Sequence, residues 1–292
     1  MTRLSLWVNR AAGSGRRHRW LAGVDRDRFD VRVVDREAML DGLREAVSER
    51  AERVIVAGGD GTIHHAIQVL AGTETSLGIV PVGSGNDFAT SLGLSASIEE
   101  ALHQALDAPA TRVDLGRIGE RYFACVAGVG IDGAVLETIE SWRWRPPRQC
   151  LYPAALLRTL PGYRPGRVEL ELEAGSWSGE ATILALANTP LYGGGMQIAP
   201  EARPDDGRLE VVAVGALPKW QLLRLFPRVY TGRHVEHAAV ELFSASSGRL
   251  QLDRAERISA DGEKVTVTDR ITFGIAPKAL RVVAARPTMR RS

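Results

Sequence analysis

The sequence predicts a chain of two parts: an α/β domain built on a parallel sheet, followed by a β-rich, sandwich-like domain. Three observations predict this. Short apolar runs, Val54-Ile-Val-Ala57 and Leu77-Gly-Ile-Val80, empty into glycine-rich turns and then into helical periodicity, the element order of a parallel sheet with helical crossovers. Those runs are apolar throughout instead of alternating, as expected of strands covered on both faces. From Thr111 onward the pattern shortens to close-set strand-like runs separated by turn residues. The expected boundary therefore puts the α/β part at 1–110 and a β-rich part at 111–292. Whether a last strand, about 278–286, returns to the first part is left open.

Length and composition narrow the function. The chain has 292 residues, 45% hydrophobic and 25% charged, enough for one large or two modest cores. A net charge of +2 is too mild to argue for nucleic acid, and none is expected as a partner. Cys125 and Cys150 have neither metal nor redox spacing, which fits free thiols in a reducing compartment. The apolar run at the N-terminus is too short for a signal peptide, and nowhere do about eighteen apolar residues run together. A cytoplasmic protein is expected.

Taken in order, Leu4-Ser-Leu-Trp-Val8 reads as the first strand, and Asn9 to Gly15 as a phosphate-like loop ahead of Arg16 and Arg17. Alone, that loop is equally an ordinary strand-to-helix turn. Phe29–Val34 alternates as a strand, and Leu40, Leu43 and Val47 share a face of the next helix. Val54 starts the third strand, Ile63, Ala66, Ile67 and Leu70 recur at helical spacing, and Leu77 starts the fourth strand; the helical pattern then runs to about Leu106. Loops 9–15, 58–62 and 83–87 would thus gather at the carboxyl edge of the sheet, where ligands bind in open α/β sheets. Thr111–Ile118 and Arg121–Ala127 read as a hairpin, and helices interrupt the later strands near 131–140, 149–160 and 218–230.

The chemistry concentrates in those loops. Gly58, Gly59 and Gly61 around Asp60, followed by Thr62 and a helix, let backbone N–H groups approach an anion. A carboxylate beside phosphate needs a mediating cation, and magnesium is the usual one. The competing reading is a helix corner capped by Asp60. Gly83, Ser84, Gly85, Asn86 and Asp87 form a second such loop with a hydroxyl, an amide and another carboxylate. Two strand ends of matching chemistry separated by one helix are hard to explain as unrelated turns.

Other features keep two readings. Asp205-Asp206-Gly207 can hold a cation or start a solvated turn. Trp142-Arg-Trp-Arg-Pro-Pro-Arg148 can rest on a bilayer interface or pack a loop onto the domain. His64 and His65 have no metal or phosphotransfer partners and read as exposed residues of a first helical turn. Asp261-Gly262 reads as a tight hairpin turn.

Gly58-Gly-Asp-Gly-Thr62, followed by Pro81-Val-Gly-Ser-Gly-Asn-Asp87-Phe, resembles the diacylglycerol kinase catalytic-domain family, soluble bacterial lipid kinases related to sphingosine and ceramide kinases. NAD kinases share the first motif, and the ordered pair is more specific. Asp114-Leu-Gly, Val126-Ala-Gly-Val-Gly-Ile-Asp132, Gly193-Gly-Gly-Met196 and Pro200–Gly207 extend the resemblance over nearly the whole chain. It implies an NAD kinase/diacylglycerol kinase-like fold and transfer of the γ-phosphoryl of ATP to a lipid hydroxyl. Asn9, Gly13, Ser14 and Gly15 join the nucleotide loops, and Arg10 replaces the usual proline.

The resemblance further implies Mg2+ on Asp60, Asp87 and Glu263, with Asp261 and Glu263 as the catalytic pair, Asp261 as general base and Glu263 orienting metal or water. It implies a structural magnesium at Asp206 with backbone oxygens of Arg203 and Arg208, transient contact with a membrane surface, and a homodimer. His64 and His65 stand where an Asn-Glu pair is usual. The rivals are an NAD kinase-like enzyme of small molecules and a catalytically silent nucleotide- or lipid-binding regulator.

Overall fold

The computed structural model describes residues 4–11, 17–143 and 148–284. The chain divides into two compact units, one running up to Asp114 and resuming at Pro277, the other Leu115–Ala276.

In the first unit β1 (Leu4–Asn9), β2 (Phe29–Val34), β3 (Arg53–Gly58) and β4 (Ser76–Pro81) form a parallel sheet in the order β4-β3-β1-β2. Helix α1 (Arg36–Ser48) links β2 to β3, α2 (Asp60–Leu70) links β3 to β4, and α3 (Asp87–Ser91) and α4 (Ile98–Asp107) follow β4. Both faces are covered. Leu6, Val8, Ile55, Ala57 and Val80 form one core with Ala101 and Ala105 of α4. Trp7 points to the other side, its indole packed over Gly42 of α1, where a Cβ would lie 1.9 Å from the ring. This contact turns α1. Its buried stripe is Met39, Gly42, Leu43 and Ala46, whereas the expected Leu40 and Val47 are only half-buried.

The expected exposure of His64 and His65 is also corrected. The helix starts at Asp60, so both histidines lie in its second turn, where α1 packs alongside. His64 is 5% exposed, and the half-buried His65 ring accepts from the Arg36 guanidinium at 3.0 Å. The stripe Ile63, Ala66, Ile67 and Leu70 is buried as its spacing predicts.

The second unit is antiparallel. Its strands are β5 (Ala110–Ile118), which begins in the first unit, β6 (Arg121–Phe123), β7 (Val126–Gly130), β8 (Gly166–Leu172) and β9 (Gly175–Ala187). They continue with β10 (Leu191–Tyr192), β11 (Met196–Gln197), β12 (Leu209–Gly215), β13 (Val240–Ala245), β14 (Ser247–Ala260) and β15 (Glu263–Val283). Helices α5 (Ile131–Ser141), α6 (Arg148–Thr159) and α7 (Lys219–Val229) lie close to the expected spans. The hairpin expected over 111–127 closes at β5 and β6, with Ile118 opposite Arg121, while Val126 and Ala127 open β7.

The long strands β9 and β14 each pair with β8 along one stretch and with β7 along another. A register shift between Gln251 and Glu256 bends β14 between the two. Inward residues of these strands, among them Leu170, Leu184, Leu186, Val211, Leu250, Ile258 and Phe273, form the core.

The end of β15 leaves this unit and lies parallel to β4, with Val282 opposite Leu77. Lys278 takes a left-handed conformation, φ 52, and its N–H donates to the buried Asp114 carboxylate at 2.7 Å. Asp114 thus stabilises the kink from which the chain rejoins the first unit.

Candidate active site

Three loops of the first unit meet where β1, β3 and β4 end side by side. Asn9 Nδ2 donates to Thr62 Oγ1 at 2.9 Å, and the N–H of Val82 donates to the Gly58 carbonyl at 3.1 Å. Gly59 and Gly83 press backbone to backbone: a Cβ on Gly83 would sit 2.4 Å from the Gly59 Cα, and one on Gly59 2.9 Å from the Gly83 Cα. Only glycine at both positions allows this approach. Gly58 has its own reason, since a Cβ there would meet Thr62 at 2.4 Å.

Asn86 organises the second loop from the left-handed region, φ 57 and ψ 37, a conformation asparagine tolerates better than most residues. Its amide closes on Gly83 both ways, Oδ1 accepting from the N–H at 2.9 Å and Nδ2 donating to the carbonyl at 3.2 Å. Its own N–H donates to Asp60 Oδ2 at 2.7 Å. The two acid-bearing loops are therefore bonded to each other, and Asp87, buried at 5% exposure, follows directly. Asp60 belongs to the first turn of α2 beside Gly61, with Gly59 as the N-cap. Ser84 is exposed and Gly85 half-buried at the loop tip. Gly13, Ser14 and Gly15 lie outside the described residues.

In the second unit Asp261 and Gly262 join β14 to β15. Both have positive φ, 51 and 82, and Ala260 pairs with Glu263 across them. This is the two-residue turn that matches strand twist, and Asp-Gly is among its preferred sequences. The Asp261 carboxylate reaches the link between β6 and β7: Oδ2 accepts from Ala124 N–H at 2.8 Å, and Oδ1 from Cys125 N–H at 2.8 Å and Val126 N–H at 3.3 Å. Backbone amides thus fix its orientation. Glu263, the first residue of β15, is half-buried.

Residues 3–118 match the family described as Diacylglycerol kinase catalytic domain. Residues 125–284 match the YegS C-terminal NAD kinase beta sandwich-like domain. This chain belongs to the diacylglycerol kinase family of lipid kinases. The kinase is 35% identical over 251 residues to the diacylglycerol kinase of Mycobacterium tuberculosis, spanning 84% of this chain and 80% of that one. It is 26% identical over 223 residues to the diacylglycerol kinase of Bacillus subtilis, spanning 75% and 74%. Its fold is similar to the crystal structure of a diacylglycerol kinase from Bacillus anthracis, with a TM-score of 0.76 at 20% identity over 97% of both chains. Kinases of this family take the phosphoryl group from ATP, and this chain is a phosphotransferase of that kind.

A further acid, Asp132, ends the Val126–Asp132 motif, for which no role was expected. It opens α5 directly after β7 and Gly130, the same strand, glycine and acid-bearing helix order as Gly58 to Asp60. That order was the available signal. Asp132 is buried, accepts from the Tyr152 hydroxyl at 2.5 Å, and burial raises its carboxyl despite that bond and the nearby Arg257 charge. Arg257 itself, 4% exposed in its side chain, forms a two-pronged pair with Glu140 at 2.7 Å for each bond.

The Asp205–Gly207 loop is a side-chain-closed turn. Asp206 Oδ1 accepts from Arg208 N–H at 3.0 Å, Asp205 pairs with Arg203 at 3.2 Å, and Gly207 has φ 75. Among the described residues no three His, Cys, Asp or Glu side chains cluster as a metal site. Trp142 is half-buried and Arg143 exposed; Trp144 to Pro147 lie outside the described residues. Among the described residues no helix is long and apolar enough to cross a membrane.

Proposed function

We propose that this kinase transfers the γ-phosphoryl of ATP to a hydroxyl of a membrane lipid of the diacylglycerol, phosphatidylglycerol or sphingoid kind. The observation that carries the phosphate half is the loop cluster, in which Asn9 is bonded to Thr62, Asp60 to Asn86, and Gly59 is pressed on Gly83. Glycine backbones at a sheet edge, with a helix N-terminus opening at Asp60, suit the phosphates of a nucleotide. The lipid half rests on the family match and on the names of the Mycobacterium tuberculosis and Bacillus subtilis relatives.

The donor set fits magnesium. Asp60 and Asp87 are hard oxygen ligands beside the phosphate loops, and Mg2+ is usually held by one or two carboxylates with phosphate oxygens completing its shell. Bound with the nucleotide, it would neutralise charge on the phosphate oxygens. Asp261, oriented by three backbone N–H groups, would take the proton of the acceptor hydroxyl, which is a poor nucleophile while it keeps that proton. A second magnesium on Asp206 with carbonyls of Arg203 and Arg208 would have to share the carboxylate already used by the Arg208 N–H.

The test is transfer of label from γ-labelled ATP with magnesium to mixed-micelle lipids, comparing the wild type with Asp60→Asn. Asparagine can still accept from the Asn86 N–H, so the loop survives while the charge goes. Label in a lipid, falling on the order of 10²-fold or more in the variant, is expected. Label in NAD instead would mean a small-molecule kinase, and ATP binding with no acceptor labelled would mean a regulator. For the Asp206 loop, magnesium without nucleotide should raise the melting temperature of the wild type and not of Asp206→Asn; equal melting curves would remove that metal.

A further inference from the structure

We propose that the outward face of α7 docks this kinase on the surface of an anionic bilayer. Leu222, Leu225, Phe226 and Val229 form the inward stripe of α7, with Leu225 buried and the other three half-buried. Phe226 stacks on Tyr152 of α6, with ring centroids 6.2 Å apart. That inward face satisfies the usual demand of an amphipathic surface helix.

A second, more exposed apolar stripe runs alongside it, and its last member, Tyr230, meets the Phe226 ring edge-on at 5.8 Å. Trp220, Leu223, Pro227 and Tyr230 recur at i, i+3, i+7 and i+10, and Trp220, Leu223 and Tyr230 are 57%, 40% and 39% exposed. Of the six large apolar side chains most exposed among the described residues, these three and Leu157 of α6 fall on this helix pair and its end. Clustering of this kind marks a contact surface; scattered exposed apolar residues do not.

The charges identify the occupant. Arg224 and Arg228 are exposed beside the stripe, Lys219 at the start of α7 donates to the Pro161 carbonyl, and neither α6 nor α7 contains an acid. Arg224 lies over the Trp220 ring at 5.2 Å, a long cation with its stem along an aromatic body. A helix lying in a membrane interface has this pattern, with indole and aliphatic side chains at the headgroup boundary and cations on anionic lipid. A second copy of the chain is disfavoured, because a two-fold contact through this face would set Arg224 and Arg228 against themselves.

The inference rests on the lipid-acceptor reading in one respect, that the kinase must meet a bilayer. The experiment is co-sedimentation with phosphatidylcholine vesicles, with and without phosphatidylglycerol, at low and high salt. Trp220→Ala/Leu223→Ala and Arg224→Glu/Arg228→Glu are compared with the wild type, each checked by thermal melting and by phosphorylation of a short-chain, monomeric diacylglycerol. The expected result is salt-sensitive binding of the wild type to the anionic vesicles. Each double variant should bind them about tenfold or more weaker, with melting and activity on the monomeric lipid unchanged.

Equal binding by wild type and variants, no preference for the anionic vesicles, or a variant whose only change is loss of a dimer in ultracentrifugation overturns the proposal. Vesicle binding that depends on α7, in a protein that labels no lipid, leaves the docking face standing and removes the lipid acceptor instead.

Discussion

A single methyl group at residue 83 has nowhere to go, because the atom in its way is the backbone of residue 59. Gly83→Ala is therefore expected to cost about 1–3 kcal/mol in urea unfolding and to weaken ATP binding in equilibrium titration; unchanged ATP affinity would show that the loop contact is not needed by the nucleotide. His234 gives the fold a pH dependence. It is buried, its Nε2 lies 3.0 Å from the Ile198 carbonyl, which fixes the N–H there, and Nδ1 has no hydrogen-bond partner among the described residues. Burial lowers its pKa, only partly offset by that bond.

A base with a depressed folded value takes up its proton more readily when unfolded. The stability is then intact above about 6.5 and is lost as pH falls from there toward the folded value. Asp132, raised by burial, has the opposite sign, its cost growing as pH rises above about 4. Comparing melting of the wild type with His234→Gln between neutral and acidic pH isolates the histidine: the variant should lose less stability on acidification, and parallel curves would refute the assignment. Gly58 to Asp87 were legible one by one because glycine and carboxylate carry their chemistry in their covalent structure. His64 was not, since its burial depends on a neighbouring helix.

At the scale of elements, the β14–β15 turn serves two purposes. Asp-Gly satisfies the positive φ values, and the Asp261 side chain fastens the turn to the start of β7. Asp261→Asn should lower the melting temperature as well as activity, because an amide nitrogen would face the Ala124 or Cys125 N–H, a loss of about 1–3 kcal/mol. Activity lost with melting unchanged would locate the role of Asp261 wholly in proton transfer; melting lowered with activity kept would make it a turn clamp. Helices are legible by their period, yet the buried face of α1 is offset by one position from the one its period predicts. Periodicity gives the width of a stripe, and the Trp7 indole over Gly42 gives its rotation.

At the scale of the molecule, the end of β15 is part of the first unit's sheet. Leu280, Val282 and Val283 are fully buried there, and Gly72 N–H donates to Ala279 at 2.7 Å. Truncation after Ala276 should therefore strip one edge of β4 and destroy cooperative unfolding or solubility, a result read by size-exclusion and thermal melting. A truncated chain that still melts cooperatively and binds ATP would show that the returning strand is dispensable.

Local chemistry was enough to determine a parallel α/β part, a β-rich part, the phosphate loops and the Asp-Gly hairpin, because glycine torsions, strand alternation and helical period act over a few residues. Contacts between distant residues needed the tertiary structure: Asp60 on Asn86, Asp261 on Ala124 and Cys125, Asp114 on Lys278, and Val282 beside Leu77. Each depends on which strands become neighbours, a choice made by packing of the whole chain, and no local periodicity encodes it.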